Sequence, residues 1–408
     1  MHYLIITSNY FPEPTGIGLY STDLARTLFS DGHQVSVLTT LPHYPWWRVP
    51  IEHSNIVPGT QIHDGILVTR CRNYIPSKFN ALTRAKYELS ILMNFLPILL
   101  KVRGREIDLI VTYTPTLACA IMGRLMNLLF KLPFGIVVQD LSGIGASQSG
   151  LRGGATASKI AEKIEVKIIS KANSVVTISP NMNRYLIKKK IQECAINLIL
   201  NYSTKEHLQI EMKDARKRIN VEDSKFLLLH AGNMGSKQDL GNIVQAARIL
   251  ESRLEVQIIL LGNGNQEEVL KSMIGSLSNI SIVQTVDENL FAQYLAAADV
   301  LILNERATQT DMSLPSKLTT YFFSKKPILA AISSSGATAE YIGDKAYVIK
   351  PNAPLEFANA VLRLAGNPAL RSDLADRGLK FAKENLLPEV GRNFYRQWLK
   401  GISQTILK

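Results

Sequence analysis

Short apolar runs alternate with stretches of helical periodicity through the first half of the chain. The runs are rich in aliphatic and β-branched residues and predict seven strands: Tyr3–Thr7, Val35–Leu38, Ile66–Arg70, Leu109–Tyr113, Phe134–Gln139, Ser174–Ile178 and Ile196–Leu200. Strands that are regularly separated by helices form a parallel sheet with helices on both faces. The first half therefore predicts a doubly wound α/β domain.

The same alternation returns after a polar stretch that begins with "NYSTKEHLQ". Six further strands are predicted there: Phe226–Ala231, Val256–Leu261, Ile280–Val283, Val300–Leu303, Ile328–Ala331 and Ala346–Ile349. A chain of 408 residues also exceeds what one core usually organises. We expect an N-terminal Rossmann-like domain at 1–203 and a second one at 204–385. A C-terminal helix at 386–408 is expected to cross back to the first domain.

Composition agrees with an ordered globular protein, since apolar residues make up 46% and charged residues 20%. The three cysteines, Cys71, Cys119 and Cys194, form no CxxC pair and have no histidine at metal spacing, which predicts neither a disulfide framework nor a zinc site. The N-terminus reads directly as a strand and shows no basic leader. A reducing cytoplasm is the expected compartment.

The positive charge is concentrated in the first half of the chain. Residues 1–200 carry 21 Lys and Arg against 12 Asp and Glu, a net charge of +9, whereas residues 201–408 carry 25 against 22, a net charge of +3. No nucleic-acid-binding signature accompanies this excess. An anionic membrane surface is therefore a better candidate partner than nucleic acid.

One segment gives this membrane hypothesis a location. The run Ile91–Leu100 is almost wholly apolar and is too short to span a bilayer. A helix of this kind can lie in the membrane interface, or it can be a buried crossover helix with solvated ends. The basic residues that flank the run are Lys78, Arg84, Lys86, Lys101, Arg103 and Arg105.

Glycine loops follow several predicted strands, where ligands bind in doubly wound folds. "TSNYFPEPTGIG" places Gly16 and Gly18 before a helix expected from about Thr22. "HAGNMGSKQ" places Gly232, Gly235, Ser236 and Lys237 before a helix expected from about Leu240, and "LLGNGN" places Gly262 and Gly264 after the next strand. Each loop alone could be a simple turn, but together they predict a diphosphate pocket.

A lysine stands at the start of a short amphipathic helix in "SLPSKLTTYFFSKKP". Pro315 and Ser316 precede Lys317 there, and Lys326-Pro327 ends the helix. Helix N-termini and lysines both attract anions, so we expect Ser316 and Lys317 to meet the same diphosphate. The alternative is an ordinary solvated helix residue.

Two further groups have weaker signals. Asp140 follows the strand "FGIVVQ" and either faces the ligand or caps a helix or turn. The loop "LPHYPWWRVP" contains His43, Tyr44, Trp46 and Trp47, which either stack on a sugar or contact lipid on the acceptor side, or pack within the loop.

Several stretches, in order along the chain, resemble the GT-B glycosyltransferases of retaining family 4, in the branch of WbuB-like and WcaI-like proteins of bacterial O-antigen, capsule and colanic acid synthesis. The stretches are "NYFPEPTGIGLYSTDLARTLFSDGHQVSVLTTLPHYP", "VVQDLSG", "SVVTISPNM", "HAGNMGSKQDLGNIVQAA", "LLGNGNQEE", "YLAAADVLIL" and "LPSKLTTYFFSKKPILAAI". The resemblance implies the GT-B fold, in which two Rossmann-like domains with parallel sheets face a central cleft.

The resemblance also implies which residues hold the donor, a nucleoside diphosphate sugar. Its diphosphate would meet the loop around Gly232, Asn233, Gly235, Ser236 and Lys237, the loop of Gly262, Asn263 and Gly264, and Pro315, Ser316 and Lys317, while Gly16 and Gly18 close over it. The acceptor, a lipid-linked saccharide at the inner leaflet, would lie on the N-terminal side near His43, Tyr44 and Trp46. Catalysis is assigned to Lys317 and Asp140, with retention by same-face attack and no metal or other cofactor.

This sequence departs from the broad family at several positions. The paired glutamates of many members fall on Met312 and Thr320, Asn233 and Gln238 replace an Arg and a Lys, and Gln139 replaces a His. Ribose recognition therefore has no assigned residue. A catalytically weak scaffold and a sugar-nucleotide epimerase remain alternatives, although an epimerase would need acid and base side chains that are not visible here. UDP is the preferred donor base.

Overall fold

The computed structural model describes residues 1–78, 80–101, 107–141, 154–204, 210–253, 255–307 and 314–406. The chain divides into two compact units. Residues Met1–Thr204 and Pro388–Lys408 form one, here called the N-terminal unit, and Lys205–Leu387 form the other, the C-terminal unit. Arg103, Arg105 and Met312, which were singled out in the sequence, lie outside the described residues.

The N-terminal unit is built on an eight-stranded sheet in the order β3-β4-β2-β1-β5-β6-β7-β8. Its strands are β1 His2–Ile6, β2 Gln34–Thr40, β3 Gly59–His63, β4 Ile66–Cys71, β5 Leu109–Thr114, β6 Phe134–Val138, β7 Ser174–Thr177 and β8 Ile196–Leu198. The central strands β1, β5 and β6 are almost fully buried, as their continuous apolar runs predict.

The helices of this unit are α1 Ile17–Ser30, α2 Ala81–Lys101, α3 Leu117–Phe130, α4 Gly154–Ile169 and α5 Pro180–Lys188. Helix α1 begins five residues before the position expected from the sequence, Thr22. The reason is Gly16, whose φ of 63° lets the chain turn directly from the loop into the helix.

The antiparallel edge strand β3 was missed, because the sequence pattern predicted a purely parallel sheet. β3 pairs with β4 through a two-residue turn at Asp64 and Gly65, whose φ values of 51° and 79° are both positive. An Asp-Gly pair is a strong signal for such a hairpin turn. The signal was present in "QIHDGILV", but β3 is exposed and lacks an apolar run.

The C-terminal unit contains a six-stranded, wholly parallel sheet in the order β11-β10-β9-β12-β13-β14. Its strands are β9 Phe226–Ala231, β10 Val256–Leu261, β11 Ile280–Val283, β12 Val300–Asn304, β13 Ile328–Ala331 and β14 Tyr347–Ile349. Its helices are α6 Met212–Arg218, α7 Gly241–Ile249, α8 Glu267–Ile274, α9 Glu288–Ala297, α10 Lys317–Phe323, α11 Ala337–Ile342, α12 Pro354–Ala365 and α13 Pro368–Asn385. The predicted α/β class with two doubly wound domains is confirmed.

The last helix, α14 Pro388–Ile406, belongs to the N-terminal unit although it ends the chain. Trp398 lies over Gly135 of β6 and donates from Nε1 to Ser174 Oγ at 2.9 Å. Arg392 and Arg396 each bind a carboxylate of α1 or its C-terminus through two nitrogens, Asp23 and Asp31 respectively. These contacts fix α14 to the first Rossmann-like fold.

Candidate functional site

Three loops meet at the carboxyl edge of the C-terminal sheet. β9 lies between β10 and β12, so the loops after these strands are neighbours. Backbone hydrogen bonds join them, because Met234 N donates to Asn263 O at 2.7 Å and Arg306 N donates to Lys237 O at 2.9 Å. The structure therefore brings the two predicted glycine loops together into one surface.

Glycine is required where these loops cross. Gly262 has a φ of 137°, and a Cβ there would overlap the carbonyl oxygen of Gly232. A Cβ on Gly264 would overlap the carbonyl of Met234 in the same way. The backbones of the two loops thus approach each other more closely than any side chain would allow.

Lys317 begins helix α10 and points back to the end of strand β9. Its Nζ lies 3.4 Å from Nε2 of His230, and a Cβ built on Gly232 would be 3.3 Å from the same Nζ. One turn later, the hydroxyl of Tyr321 accepts a hydrogen bond from Ala231 N at 2.9 Å. Residues four apart share one helix face, so Tyr321 holds the face of α10 that carries Lys317 against β9.

Burial controls the charge of this pair. It lowers the pKa of Lys317 to about 8, with a smaller opposing effect from the carboxylate of Glu305. His230 is fully buried, and burial together with the nearby Lys317 ammonium holds its pKa well below the usual value. An ammonium can only donate, so neutral His230 accepts at Nε2. A desolvated ammonium beside a glycine loop is suited to receiving an anion.

Most of the remaining predicted donor residues of the C-terminal unit are exposed. Asn233, Ser236, Lys237, Asn263 and Ser316 are exposed, and Pro315 is partly buried with its carbonyl accepting from Leu318 N at 3.1 Å. Gly235 is packed by the side-chain ends of Asn233 and Gln238. These residues lie in the loops after β9 and β10 and just before α10.

Asn304 supports the loop after β9. It is fully buried, donates to the carbonyls of Gln238 and Asp239 at 2.7 and 3.0 Å, and accepts from Asn242 at 2.8 Å. The contacts assign it a structural role in holding the loop after β9. Thr320, where many family members have a glutamate, lies on α10.

In the N-terminal unit, Glu13 joins the glycine loop after β1 to the aromatic loop after β2. Its Oε1 accepts from the backbone amides of His43 and Tyr44 at 2.7 and 2.8 Å. A Cβ on Gly18 would crowd Glu13, and one on Gly16 would lie 3.2 Å from the ring of Tyr44. Burial raises the pKa of Glu13 to about 7 against the opposing effect of the two amides. Gly16, Gly18, His43 and Tyr44 are thus brought together by a residue that was not predicted.

The aromatic loop is packed internally. His43 is fully buried, donates from Nδ1 to Leu41 O at 2.9 Å and therefore accepts at Nε2 from the hydroxyl of Tyr87 at 3.1 Å. Trp47 contacts the rings of His43, Tyr44 and Tyr87, whereas Trp46 contacts His53. Since Tyr87 lies on α2, the loop is fixed to that helix.

Asp140 lies near the carboxyl end of β6 and is partly buried. Its Oδ1 accepts from Leu141 N at 2.8 Å and its carbonyl accepts from Thr114 Oγ1 at 3.3 Å. The neighbouring Gln139 exchanges two hydrogen bonds with Asn201, at 2.9 and 3.1 Å. Gln139 thus makes a local amide pair at the position where many family members have a histidine.

Two residues at these sites, His230 and Glu13, were missed in the sequence. Both side chains are buried and polar: His230 lies at the end of β9, before its glycine loop, and Glu13 lies within the glycine loop that follows β1. The segments "LLLHAG" and "FPEPTG" were the available signal, but burial and hydrogen-bond partners could not be read from them.

Family models match both units. The model described as "Glycosyl transferase 4-like domain" matches residues 15–201, and the model described as "Glycosyl transferases group 1" matches residues 225–367. Together they cover most of each Rossmann-like fold.

Individual relatives and solved structures agree with this match. The chain is 28% identical over 351 residues to a colanic acid biosynthesis glycosyl transferase of Escherichia coli, WcaI, with 83% of this chain and 84% of the relative covered. Its fold resembles sucrose-phosphate synthase from Thermosynechococcus elongatus, with a TM-score of 0.71, 17% identity, and 98% and 100% of the chains covered. It also resembles Anabaena HepE in complex with UDP, with a TM-score of 0.70, 14% identity and the same coverage.

Proposed function

The chain belongs to the GT-B glycosyltransferases of family 4, and on that premise we propose that its C-terminal unit binds a nucleoside diphosphate sugar at the Lys317 site. The observation that carries the proposal is the partly desolvated Lys317 ammonium between His230 and Gly232. A diphosphate that binds there meets an ammonium group that is already partly desolvated. Backbone amides of the loop after β9 and of the Gly262–Gly264 loop complete the site.

The proposed reaction breaks the anomeric C–O bond of the donor. Negative charge grows on the departing diphosphate, and Lys317 stabilises it more strongly as the bond breaks. Attack from the same face, with the departing phosphate oxygen taking the acceptor's proton, retains the anomeric configuration without a carboxylate nucleophile. Lys317 then supplies the charge that a metal ion supplies in other transferases. Asp140 is proposed to face the reacting sugar.

UDP is the proposed donor base. The Anabaena structure with the same fold was determined with UDP, which supports this choice. Both the hexosyl and the N-acetylaminosugar classes of donor fit the proposal.

The proposed acceptor is a polyprenyl-diphosphate-linked saccharide at the inner face of the plasma membrane, in the synthesis of a bacterial surface polysaccharide such as O-antigen, capsule or colanic acid. The likeness to a colanic acid biosynthesis transferase supports this class. The acceptor saccharide is proposed to bind beside the loop of His43, Tyr44 and Trp46, with Gly16 and Gly18 nearby.

Helix α2 is proposed to attach the enzyme peripherally to that membrane. Leu82, Leu89 and Met93 are 65%, 59% and 58% exposed, and their spacing places them on one face of the helix. Lys86 is exposed on the same face. None of the helices within the described ranges is long and apolar enough to cross a bilayer.

One basic residue of this segment makes its contacts within the protein. Arg84 pairs with Glu88 at 2.9 Å and donates to Pro115 O at 3.3 Å, so it links α2 to the start of α3. A test of membrane docking should therefore replace Lys78 and Lys86 and leave Arg84 unchanged.

The donor proposal is tested by thermal shift with UDP-, GDP- and dTDP-sugars, followed by an assay for release of the nucleoside diphosphate. Saturation at about 100-fold over Kd should stabilise the protein by about 2.7 kcal/mol. A UDP-sugar is expected to stabilise the protein and to release UDP. Stabilisation without release under any acceptor condition would indicate the scaffold, and recovery of an epimeric sugar nucleotide would indicate the epimerase.

A further inference from the structure

Helices α2 to α5 form one layer on a single face of the N-terminal sheet. They connect β4 to β5, β5 to β6, β6 to β7 and β7 to β8, and all four connections run in the same direction along the strand order. Right-handed crossovers in one direction place their helices on the same face. In agreement, α2 packs on α3 and α3 packs on α4.

The α4–α5 part of this layer carries a strong excess of positive charge. Residues 154–190 contain eight Lys and Arg and two glutamates. Glu162 is bound by Lys189 at 2.5 Å and by the hydroxyl of Tyr185 at 2.6 Å, and Glu165 is 1% exposed. Neither carboxylate is therefore available to offset the exposed lysines.

The exposed residues of α4 follow helical spacing. Lys159, Lys163 and Lys167 are four residues apart and form one exposed stripe. Ile160 and Ile164, which are 54% and 39% exposed, form an adjacent stripe. Apolar side chains between lysines are the pattern of a helix that lies at a bilayer surface.

Helix α5 and the residues after it also present an exposed isoleucine beside exposed lysines. Ile187 is 40% exposed, and Lys188 and Lys190 beside it are exposed. We name the exposed lysines and isoleucines of these two helices the α4–α5 surface: Lys159, Ile160, Lys163, Ile164, Lys167, Ile187, Lys188 and Lys190.

We propose that the α4–α5 surface docks on the anionic lipid headgroups of a bilayer and forms one membrane-facing layer with α2. This rests on the proposed function, in which α2 alone was assigned to the membrane. The two parts differ in chemistry, because α2 presents Leu82, Leu89 and Met93 whereas α4 and α5 present mainly lysines. Helix α2 supplies apolar contact, and the α4–α5 surface supplies electrostatic attraction and orientation.

Charge complementarity and continuity with α2 favour a bilayer over a nucleic acid. The phosphate backbone of a nucleic acid offers no apolar partner for Ile160 and Ile164. The aromatic ring on these helices, Tyr185, is engaged by Glu162 through its hydroxyl and by Lys189 over its face. It does not provide an open platform for base stacking.

The test is co-sedimentation of the full chain with phosphatidylcholine vesicles, with and without phosphatidylglycerol. The variant replaces Lys159, Lys163 and Lys167 with glutamine, and the matched control replaces three exposed lysines of the C-terminal unit, Lys350, Lys380 and Lys383, with glutamine. Partitioning of the α4 variant onto anionic vesicles should fall by about 100-fold, since each lysine near an anionic surface contributes about fivefold. The control should partition as the wild type does.

Salt and a second variant separate this proposal from the docking of α2. Wild-type binding to anionic vesicles should weaken as salt rises, and the α4 variant should lose most of that salt dependence. A Leu89→Ser, Met93→Ser variant should weaken binding at every salt concentration. If the α4 variant binds as the wild type does while the α2 variant does not, the α4–α5 surface is not a docking surface but the proposed function stands. If the chain does not partition onto anionic vesicles at all, the proposed membrane docking of α2 and that of the α4–α5 surface are both wrong.

Discussion

Lys317 Nζ lies 3.4 Å from Nε2 of the fully buried His230, at the point where helix α10 meets the end of strand β9. Because His230 is neutral, it accepts a hydrogen bond from the ammonium without cancelling its charge. The lysine is thus oriented by a neutral partner and keeps its positive charge for a ligand.

Nucleotide affinity should depend on the protonation of Lys317. Burial lowers the pKa of Lys317 to about 8, and a bound diphosphate would raise it again. Above pH 8 Lys317 of the free protein is increasingly deprotonated, so UDP binding must be accompanied by the uptake of a proton. UDP affinity should be constant on the acid side of this pKa and weaken above it, with a total loss no larger than that caused by Lys317→Ala. Isothermal titration across this range checks the slope. Lys317→Arg is the control, because its guanidinium stays charged and its profile should be flat.

The free energy of unfolding should also depend on pH through Lys317, but in the opposite direction to nucleotide affinity. Its pKa is about 8 in the folded protein and 10.5 as the ordinary value, so the unfolded state binds more protons between these values and stability rises with pH there. Lys317→Met should therefore be more stable than the wild type below pH 8, by up to about 3 kcal/mol. The difference should shrink toward pH 10.5 in urea unfolding, and a difference independent of pH would contradict the burial of charge at this site.

Glu13 should destabilise the N-terminal unit when it ionises. Its pKa is about 7 in the folded protein against 4.5 as the ordinary value, so the folded state binds more protons between these values and stability falls as pH rises through them. Glu13→Gln keeps an oxygen for the amides of His43 and Tyr44 and removes the ionisation. Its melting temperature relative to the wild type should increase from pH 5 to pH 8. Glu13→Ala should lose about 2 kcal/mol at pH 5, because two backbone amides lose their acceptor, and this loss relative to the wild type should shrink toward pH 8, since alanine does not ionise either.

Two glycines of the donor site should respond differently to alanine. Gly262→Ala forces a side chain into a positive φ and onto the carbonyl of Gly232, which should cost at least about 2 kcal/mol of stability. Gly235→Ala meets only the movable ends of Asn233 and Gln238, so it should fold normally and weaken UDP binding. Melting temperature and UDP affinity, measured for both variants, test the two loops separately. Equal stability of the two variants would contradict the close approach of Gly262 to Gly232.

The sequence predicted thirteen of the fourteen strands in the described part of the chain, because their apolar runs are intrinsic to the chain. The exception, β3, is an exposed edge strand whose residues need no apolar run. The start of α1 was predicted too late, because the sequence of the glycine-rich loop does not show that the chain turns into the helix at Gly16. Strands with apolar runs could therefore be predicted from the sequence, but element boundaries that depend on tertiary geometry could not.

The candidate site shows the same division. Lys317 and the glycine loops were predicted from motifs at strand ends, whereas His230 was not, because its partner is 87 residues away in sequence. Glu13 was missed since its role depends on two backbone amides of a different loop. The sequence places Arg84 among the basic residues that flank the apolar run of α2, but its pairing with Glu88 could be seen only in the structure.

The central claim, that Lys317 stabilises the departing diphosphate, is tested most directly by kcat and nucleotide Kd for Lys317→Ala. Turnover should fall by two to three orders of magnitude, that is by about 3 to 4 kcal/mol of transition-state stabilisation, while nucleotide affinity falls much less. Lys317→Arg should recover part of the turnover, because it restores the charge with a different donor geometry. A kcat for Lys317→Ala equal to that of the wild type, in a protein that binds the nucleotide and melts normally, would contradict the account.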